Sequence, residues 1–390
     1  MLMGDRQKCP HRGKKVKSRE RPGLQAREKG SIIYRGCSPQ QNQDMEANMK
    51  KILSYMLAAM LLLSVLVGSV GGSFAEESAV DDGRARPSNA GNLQVVNGKL
   101  SDEKGEPVML RGISTHDLIM TESFLNDTLF GQLSRDVGVN VVRLAMYTHG
   151  VGIMGYCTKG DRARYEADID KGVTLATAHD MYAIIDWHIL SDGDPNIYVD
   201  QAMDFFARMA DKYSDHNNVL YEICNEPNGV DWPTVRAYAE QIIPIIRERA
   251  PQAVIIVGDP QWSSDLRSVL ADPLDVENVL YTLHFYAASH GEDSRKAVEE
   301  ASQQGLPIFV TEYGVTASTG GFPRDLDSAD LWIELLEREG ISYCMWTFSK
   351  VAEACSAIRS TVPKYNNFVR EDYTATGLWL LDTLAKYNSR

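Results

Sequence analysis

Short apolar runs and amphipathic stretches alternate along most of this chain. Runs typical of buried strands end near eight positions: His116, Met146, His188, Glu226, Gly258, Phe285, Glu312 and Phe348. Stretches with helical periodicity lie between or after them, at Tyr165–His179, Tyr198–Lys212, Thr234–Arg249, Arg295–Gln304, Ser328–Glu339 and Thr376–Lys386. Eight strand–helix units in about 300 residues predict a (β/α)8 TIM barrel, an α/β fold, over residues 93–390.

The main alternative fold is a doubly wound open sheet. That fold collects its active residues at one switch point, whereas polar residues follow nearly every predicted strand here. The sequence has no repeat of fixed period and no linker rich in proline, serine and threonine that would lead to a second module. The closed barrel is therefore favoured.

The segment before the barrel predicts an accessory hairpin. Residues 76–92 are polar and small, which indicates a flexible lead-in. Leu93–Leu100 and Val108–Leu110 then flank the turn-rich segment Asp102–Pro107. This order predicts a β-hairpin that closes the bottom of the barrel.

Residues 49–75 have the organisation of a secretory signal peptide. Lys50 and Lys51 precede an apolar run from Ile52 to about Val70, and a small-residue exit ends at Ala75. This order predicts cleavage after Ala75 and a secreted, extracellular protein. A membrane anchor is the alternative, because the apolar run approaches the length of a span. The small-residue exit favours the signal peptide.

Residues 1–48 form a basic prefix without apolar periodicity. The prefix could be a nucleic-acid-binding arm, or translation could start at Met45 or Met49 so that the prefix is never made. The second interpretation is favoured because a signal peptide works at the N-terminus. The chain carries a net charge of -13, and removal of a basic leader makes it more acidic. We therefore expect no nucleic-acid or membrane partner for the mature chain, and its charge suits an uncharged ligand. We also expect a monomer.

The six cysteines show no metal-type CxxC spacing, and two of them lie in the prefix. Cys224 and Cys344 fall within predicted core strands, where cysteine behaves as a small buried hydrophobe. Cys157 and Cys355 could be free or paired, and the spacing leaves both possibilities open.

Side chains that could act in catalysis or ligand binding end almost every predicted strand. They lie at the lip of the barrel, where barrel enzymes have their active residues. These side chains are His116, Arg143, Asp186, His188, Asn225, Glu226, His284, Tyr286, Glu312 and Trp346. A metal-dependent hydrolase is one alternative, but each histidine is alone on its strand and the last strand ends in tryptophan rather than a carboxylate. There is also no glycine-rich phosphate loop. We expect no metal and no cofactor.

Two of the strand ends are glutamates, Glu226 and Glu312, and each follows an apolar run. Cleavage of a glycosidic bond needs such a pair: one carboxylic acid protonates the leaving oxygen and one carboxylate attacks or stabilises the anomeric carbon. Tyr147, Trp262 and Trp346 near the same lip offer aromatic planes for the C–H faces of sugar rings. The sequence therefore favours a glycoside hydrolase.

Four segments in order resemble the strand motifs of glycoside hydrolase family 5, and in particular its secreted bacterial endo-β-1,4-glucanases (cellulases). They are residues 184–193 with Asp186-Trp187-His188, residues 221–229 with Asn225-Glu226-Pro227, residues 281–287 with His284-Phe285-Tyr286, and residues 308–314 with Thr311-Glu312-Tyr313-Gly314. The resemblance runs from about Leu93 to the C-terminus. It implies a (β/α)8 fold, a retaining mechanism, no cofactor and a β-glucan substrate.

The resemblance also implies roles for individual residues. Glu226 would be the acid/base and Glu312 the nucleophile, while Asn225 would bind the 2-hydroxyl of the sugar being cleaved. Arg143 and Tyr286 would keep Glu312 ionised, His284 would lie beside Glu226, and Trp346, often followed by a cis peptide bond, would form the floor under the reacting ring. The remaining residues expected to bind substrate or support the site are His116, Tyr147, His188, Trp262, Lys350 and Glu353. Glu222, four residues before Glu226, should be a hydrogen-bonded acid inside the barrel.

The sequence departs from the family pattern on the glycone side of the site. This side binds the part of the sugar chain that contributes the anomeric carbon of the cleaved bond. Met120 stands where the family has a tryptophan, and Lys350 lies one position before the expected lysine. A separate, smaller departure is Tyr313, which replaces a more usual tryptophan. Glu353 keeps its place. Related β-glycanases acting on xyloglucan, mixed-linkage glucan or mannan remain alternatives, because pocket shape decides among them. A non-catalytic polysaccharide-binding barrel is a further alternative, disfavoured by the retained glutamates.

Overall fold

Eight parallel strands form a closed barrel in the computed structural model, which describes residues 82–150 and 154–389. The barrel strands are β3 (Arg111–Ser114), β4 (Val141–Tyr147), β5 (Tyr182–His188), β6 (Val219–Glu222), β7 (Ile255–Val257), β8 (Val279–Tyr286), β9 (Ile308–Gly314) and β10 (Tyr343–Met345). Each strand pairs with its sequence neighbour, and β10 closes the ring by pairing with β3. The predicted fold class is confirmed.

Helices follow or connect the barrel strands. They are α1 (Pro87–Ala90), α2 (Leu118–Thr121), α3 (Asp127–Gln132), α4 (Arg162–Ala178), α5 (Val199–Lys212), α6 (Trp232–Arg249), α7 (Leu266–Ala271), α8 (Glu292–Gln303), α9 (Leu326–Glu339) and α10 (Ala375–Asn388). Short 3-10 turns lie at Glu122–Phe124, Pro195–Tyr198 and Arg370–Asp372, and a π turn lies at Leu133–Val137. The six helices predicted from periodicity begin and end within about three residues of α4, α5, α6, α8, α9 and α10, the usual scale of boundary error.

The barrel strands are buried on both faces, because their outer sides pack on helices and their inner sides fill the barrel. Every residue of β4, β5, β8 and β9 is buried. This burial is why the strands appear in the sequence as nearly continuous apolar runs. In the circular strand order β6 and β10 lie four places apart, so they stand on opposite sides of the barrel.

A hairpin covers the N-terminal ends of the barrel strands, but its turn differs from the predicted one. Strands β1 (Gln94–Val96) and β2 (Lys99–Ser101) pair antiparallel around Asn97 and Gly98, both at positive φ. Asn-Gly is the preferred dipeptide of a tight two-residue hairpin turn. The predicted partner segment contributes an isolated bridge between Ser101 and Pro107. Leu93 and Leu100 pack on the lower barrel core, so the hairpin does close the bottom.

Residues 82–92 are packed against the barrel, where we expected a flexible lead-in. Arg84 donates to the Ser134 carbonyl at 3.0 Å, and Asn140 donates to the Ala85 carbonyl at 3.0 Å. Ala90 is buried. Polar composition suggested flexibility, whereas these polar groups satisfy buried partners on the barrel. The prefix, the predicted signal peptide and residues 76–81 lie outside the described residues. Within the described ranges, none of the helices combines the length and apolarity that a membrane span requires.

Two further expectations are settled by the fold. Regular pairing in β6 stops at Glu222, four residues before the predicted end at Glu226. Cys157, Cys224, Cys344 and Cys355 are all buried free thiols. Cys157 and Cys355, for which the sequence left two possibilities, are therefore unpaired.

Candidate active site

Glu226 and Glu312 face one another at the carboxyl ends of β6 and β9. A carboxylate oxygen of each, together with a ring nitrogen of His284, lie within 4.8 Å of one another. Retaining glycosidases hold their two carboxyl groups about 5–5.5 Å apart, whereas inverting enzymes need about 6.5–9.5 Å to admit a water. The two glutamates therefore have the close approach that direct attack on carbon requires.

Both oxygens of Glu312 receive a hydrogen bond. Arg143 Nη1 donates to Oε2 at 2.9 Å, and the Tyr286 hydroxyl donates to Oε1 at 2.7 Å. Burial alone would raise the pKa of Glu312, but the positive charges of His284 and Arg143 outweigh it and hold that pKa below its ordinary value. Glu312 is thus an ionised carboxylate, as a nucleophile must be.

Glu226 has the opposite electrostatic setting. Burial raises the pKa of Glu226, a hydrogen bond from His284 opposes the rise, and the negative charge of Glu312 adds to it, so the pKa lies above its ordinary value. His284 Nδ1 lies 2.9 Å from Glu226 Oε1. Two carboxyl groups whose pKa values are displaced in opposite directions are suited to the roles of acid and nucleophile.

His284 links Glu226 to a deeper acid, Glu222. The Nε2 atom of His284 lies 3.0 Å from the Thr311 hydroxyl, which donates to Glu222 Oε1 at 2.8 Å. Burial would lower the pKa of His284, but Glu312, Glu222 and Glu226 raise it to about 10. His284 is therefore a cation that donates from both ring nitrogens. Glu222 is a hydrogen-bonded interior acid, as expected from its position in the strand.

The opposed pKa shifts of Glu226 and Glu312 predict a bell-shaped dependence of kcat/KM on pH. Activity should fall as the pH drops through the lowered pKa of Glu312, because the nucleophile gains a proton. It should also fall as the pH rises through the raised pKa of Glu226, because the acid loses its proton. Rates measured across pH on a soluble substrate check this.

The variant Glu226→Gln supplies the control for the pH profile. With an activated substrate whose leaving group needs no proton, this variant should lose the alkaline limb of the first step and keep the acidic limb. A profile that keeps both limbs would assign the alkaline limb to another group.

Four rings form an aromatic floor at the lip. The rings of Tyr147 and His188 lie parallel, with centroids 4.3 Å apart. Trp346 lies 5.4 Å from His188 and 5.2 Å from His116. The peptide bond after Trp346 is cis, as the resemblance implied. Burial and the charge of Arg143 lower the pKa of His188, so this ring is neutral, and its Nδ1 lies 2.7 Å from Asp186.

Asn225 and Trp262 lie on the Glu226 side of the lip. Asn225 Oδ1 accepts from Arg143 at 2.6 Å, and its amide donates to the Ile189 carbonyl at 3.0 Å. Trp262 is 59% exposed, and its backbone N–H donates to the Pro227 carbonyl at 3.0 Å. It belongs to the turn Pro260–Ser263, in which Gln261, Trp262 and Ser263 all have positive φ. Such a backbone is strained for non-glycine residues.

Glu353 and Lys350 occupy the loop after β10. Glu353 Oε2 lies 3.9 Å from His116 Nε2, which places this acid at the edge of the aromatic floor. Lys350 donates to the Val362 carbonyl at 3.1 Å, and its ammonium lies 3.6 Å from the Tyr365 ring centroid. The structure therefore brings Glu353 to the site and directs Lys350 to a neighbouring loop.

In the described ranges, Glu226, His284 and Glu312 are the one group whose side chains are close enough to hold a metal ion. A metal needs a neutral imidazole with a free lone pair, whereas His284 is cationic and its ring nitrogens contact Glu226 and Thr311. The donor set does not fit a resident metal, and it fits proton transfer.

Sequence reasoning placed Asp186 at a strand end without giving it a role, and it missed Thr311 and Ser263 as supporting residues. Asp186 contacts Arg143 at 2.9 Å, Thr311 bridges His284 and Glu222, and Ser263 donates to the Asn225 carbonyl at 2.6 Å. Alternate strand residues share a face, so the spacing of Asp186 to His188 was a usable signal. Thr311 and Ser263 carry no comparable signal.

Comparisons with known proteins relate this chain to members of one protein family. Residues 101–351 match the family model described as "Cellulase (glycosyl hydrolase family 5)". Endoglucanase A of Butyrivibrio fibrisolvens is 41% identical over 76% of this chain and 69% of its own, and an endoglucanase of Clostridium saccharobutylicum is 36% identical over 87% and 73%. The catalytic domain of a Thermobifida fusca endoglucanase, solved with cellotetraose, superposes with a TM-score of 0.73 at 36% identity, covering 77% of this chain and 100% of that one.

Proposed function

The chain belongs to glycosyl hydrolase family 5, the cellulase family, and on that premise we propose that it is a retaining endo-β-1,4-glucanase. It hydrolyses internal β-1,4-glucosidic bonds of cellulose or soluble β-glucan by a double displacement. The proposed mechanism rests on two features of Glu226 and Glu312: their carboxyl groups lie close together, and their pKa values are shifted in opposite directions. Relatives named endoglucanase and the cellotetraose-bound neighbour support the choice of substrate.

In the first step Glu312 attacks the anomeric carbon and Glu226 gives its proton to the departing glycosidic oxygen. The bond to the leaving sugar breaks as the bond to the Glu312 oxygen forms, so the released chain departs as a neutral alcohol. Arg143 and Tyr286 keep the attacking oxygens ionised and oriented. Asn225, held by Arg143, is placed to bind the 2-hydroxyl of the reacting sugar.

In the second step Glu226 acts as a general base instead of a general acid. Once Glu312 is esterified its negative charge is gone, so the pKa of Glu226 falls and the carboxylate can accept a proton from water. Water attacks the anomeric carbon from the face the leaving group vacated, and Glu312 departs as a carboxylate. Two inversions leave the product with the β configuration of the substrate.

The proposed function predicts both a substrate order and a stereochemical result. Reducing-sugar release should be greatest from carboxymethyl cellulose in a panel that also contains lichenan, xyloglucan, mannan and xylan. Proton NMR during cellotetraose hydrolysis should show the β-anomer before mutarotation produces the α-anomer. Early α-anomer would exclude the retaining mechanism, and preferential cleavage of xyloglucan, mannan or lichenan would identify a related β-glycanase.

We also propose that the mature protein is secreted and monomeric. The signal-peptide organisation of residues 49–75 supports export, and the acidic net charge disfavours binding to nucleic acid or anionic lipid. N-terminal sequencing of the protein from culture medium should give a chain that starts at Glu76. Protein found only in the cell membrane fraction would favour the anchor instead.

A further inference from the structure

An open cleft lies beside the catalytic groove, between the loop after β9 and the loop after β10. It has a volume of about 550 Å³, and its lining includes Phe322, Arg324, Val351, Glu353 and Arg359. Glu353 also lies 3.9 Å from His116 at the edge of the aromatic floor. Glu353 therefore both lines the cleft and lies at the edge of the catalytic groove.

The barrel order indicates which end of a substrate would reach this cleft. Glu226 follows β6 and protonates the oxygen of the leaving sugar, so the leaving part of the chain lies on the β6 side. Strand β10 stands opposite β6 in the closed barrel. The loop after β10, and the neighbouring loop after β9, are thus on the side of the glycone, the part of the chain that becomes bonded to Glu312.

Phe322 is unusually accessible for an aromatic residue, with 73% of its surface exposed. Its ring is held in place, because the Arg324 guanidinium lies 4.6 Å from the ring centroid. Arg324 is itself anchored by bonds to the Ala354 carbonyl at 3.1 Å and the Thr376 hydroxyl at 2.9 Å. One aromatic face is backed by a fixed cation while much of the ring remains open.

The loop that carries Phe322 is an ordered hairpin-like segment joined to the loop that carries Glu353. Thr316 and Arg324 form an antiparallel bridge, and the Gly320 carbonyl accepts from the Ala354 and Cys355 backbone N–H groups at 3.1 and 3.2 Å. Phe322 therefore has a fixed position relative to Glu353. A preorganised aromatic plane loses little entropy when a ligand stacks on it.

We propose that this cleft binds the glycone end of a β-glucan chain, with Phe322 as the stacking platform for sugars beyond the one at Glu353. The aromatic plane matches the apolar C–H face of a β-linked glucose ring, and Arg324 and Arg359 can donate to its hydroxyls. Because Met120, on helix α2 after the neighbouring strand β3, is exposed but not aromatic, Phe322 supplies the stacking surface on this side. The proposal deepens the proposed function and rests on it.

The test compares Phe322→Ala with the unaltered protein on cellotetraose and cellohexaose. For cellohexaose, kcat/KM should fall by about threefold to tenfold, the scale of one aromatic contact, whereas cellotetraose, too short to fill the cleft, should be hydrolysed as before. With reducing-end-labelled cellohexaose, the labelled products should become longer, because fewer cuts leave three or more sugars on the glycone side. Phe322→Tyr should restore both properties.

Leu331→Ala is the matched control, because it shortens an exposed apolar side chain elsewhere, on helix α9. It should leave the hydrolysis of both oligosaccharides unchanged. Equal effects of Phe322→Ala on both oligosaccharides, or none, would overturn the proposal while leaving the proposed function intact. A change in sedimentation of Phe322→Ala without a chain-length effect would assign the surface to self-association and likewise overturn it. An unaltered protein that cleaves neither oligosaccharide would refute the proposed function itself.

Discussion

Glu312→Gln should reduce hydrolysis by at least about 10⁴-fold on every substrate, the scale on which loss of a covalent nucleophile acts. Glu226→Gln should reduce hydrolysis of cellulose by about 10²–10⁴-fold, the usual contribution of a general acid. Neither change should unfold the protein, since each replaces a carboxyl by an amide of nearly equal size. Steady-state rates on carboxymethyl cellulose and thermal melting measure the two effects.

The two variants should react differently with a dinitrophenyl cellobioside, whose leaving group needs no proton. Glu226→Gln should still form the glycosyl–enzyme bond at Glu312 and then stall, so that mass spectrometry finds the protein heavier by one cellobiosyl group. Azide, which needs no general base, should restore turnover and yield a β-glycosyl azide. Glu312→Gln should form no adduct.

Glu334→Gln, which alters an exposed glutamate on α9, is the matched control and should retain full activity. Ordinary activity in either active-site variant would refute the assignment of the pair. If Glu226→Gln lost the same fraction of activity on the natural and the activated substrate, Glu226 would not be the general acid.

Arg143→Met should lower the free energy of unfolding by about 3–5 kcal/mol, the cost of leaving buried charges without their partner. The fully buried guanidinium contacts Glu222 at 2.7 and 3.0 Å, Glu312 at 2.9 Å and Asp186 at 2.9 Å. Its loss leaves these acids without their shared cation. The pKa of Glu312 should also rise, which moves the acidic limb of the activity profile to higher pH. Denaturant titration and a pH series measure the two changes.

Arg143→Lys is the informative partner for this variant. It keeps the charge but loses the planar fork that reaches several acceptors at once, so its stability should fall between those of Arg143→Met and the unaltered protein. Adding Glu222→Gln to Arg143→Met should recover part of the lost stability, because one uncompensated charge is removed. If Arg143→Met unfolds at the same denaturant concentration as the unaltered protein, the network is not the stabilising centre of the barrel.

The barrel and its chemical centre were predictable because burial on both faces leaves a clear trace in sequence. The apolar runs that end at Glu226 and Glu312 could be placed on strands, and parallel strands bring their carboxyl ends to one lip. The contact of Arg143 with Glu312 was implied by family resemblance, and the structure gives it a distance of 2.9 Å.

Other features depended on contacts between residues distant in sequence. Thr311 gives no sign that its hydroxyl joins His284 to Glu222, because a threonine inside a strand is commonplace. The raised pKa of His284 arises from three acids on two other strands, which only the fold brings together. The hairpin turn was a different kind of error, because Asn97-Gly98 is a local turn signal, whereas the prediction placed the turn in the longer turn-rich segment nearby.

The packing of residues 82–92 sets a practical limit on how short a recombinant form of this enzyme can be. A version trimmed to Leu93 would remove the carbonyl that accepts from buried Asn140 and the Gly91 carbonyl that accepts from Tyr182. Buried donors stripped of their acceptors cost about 1–3 kcal/mol each. Expression designs for crystallisation should therefore retain the chain from Asp82 onward.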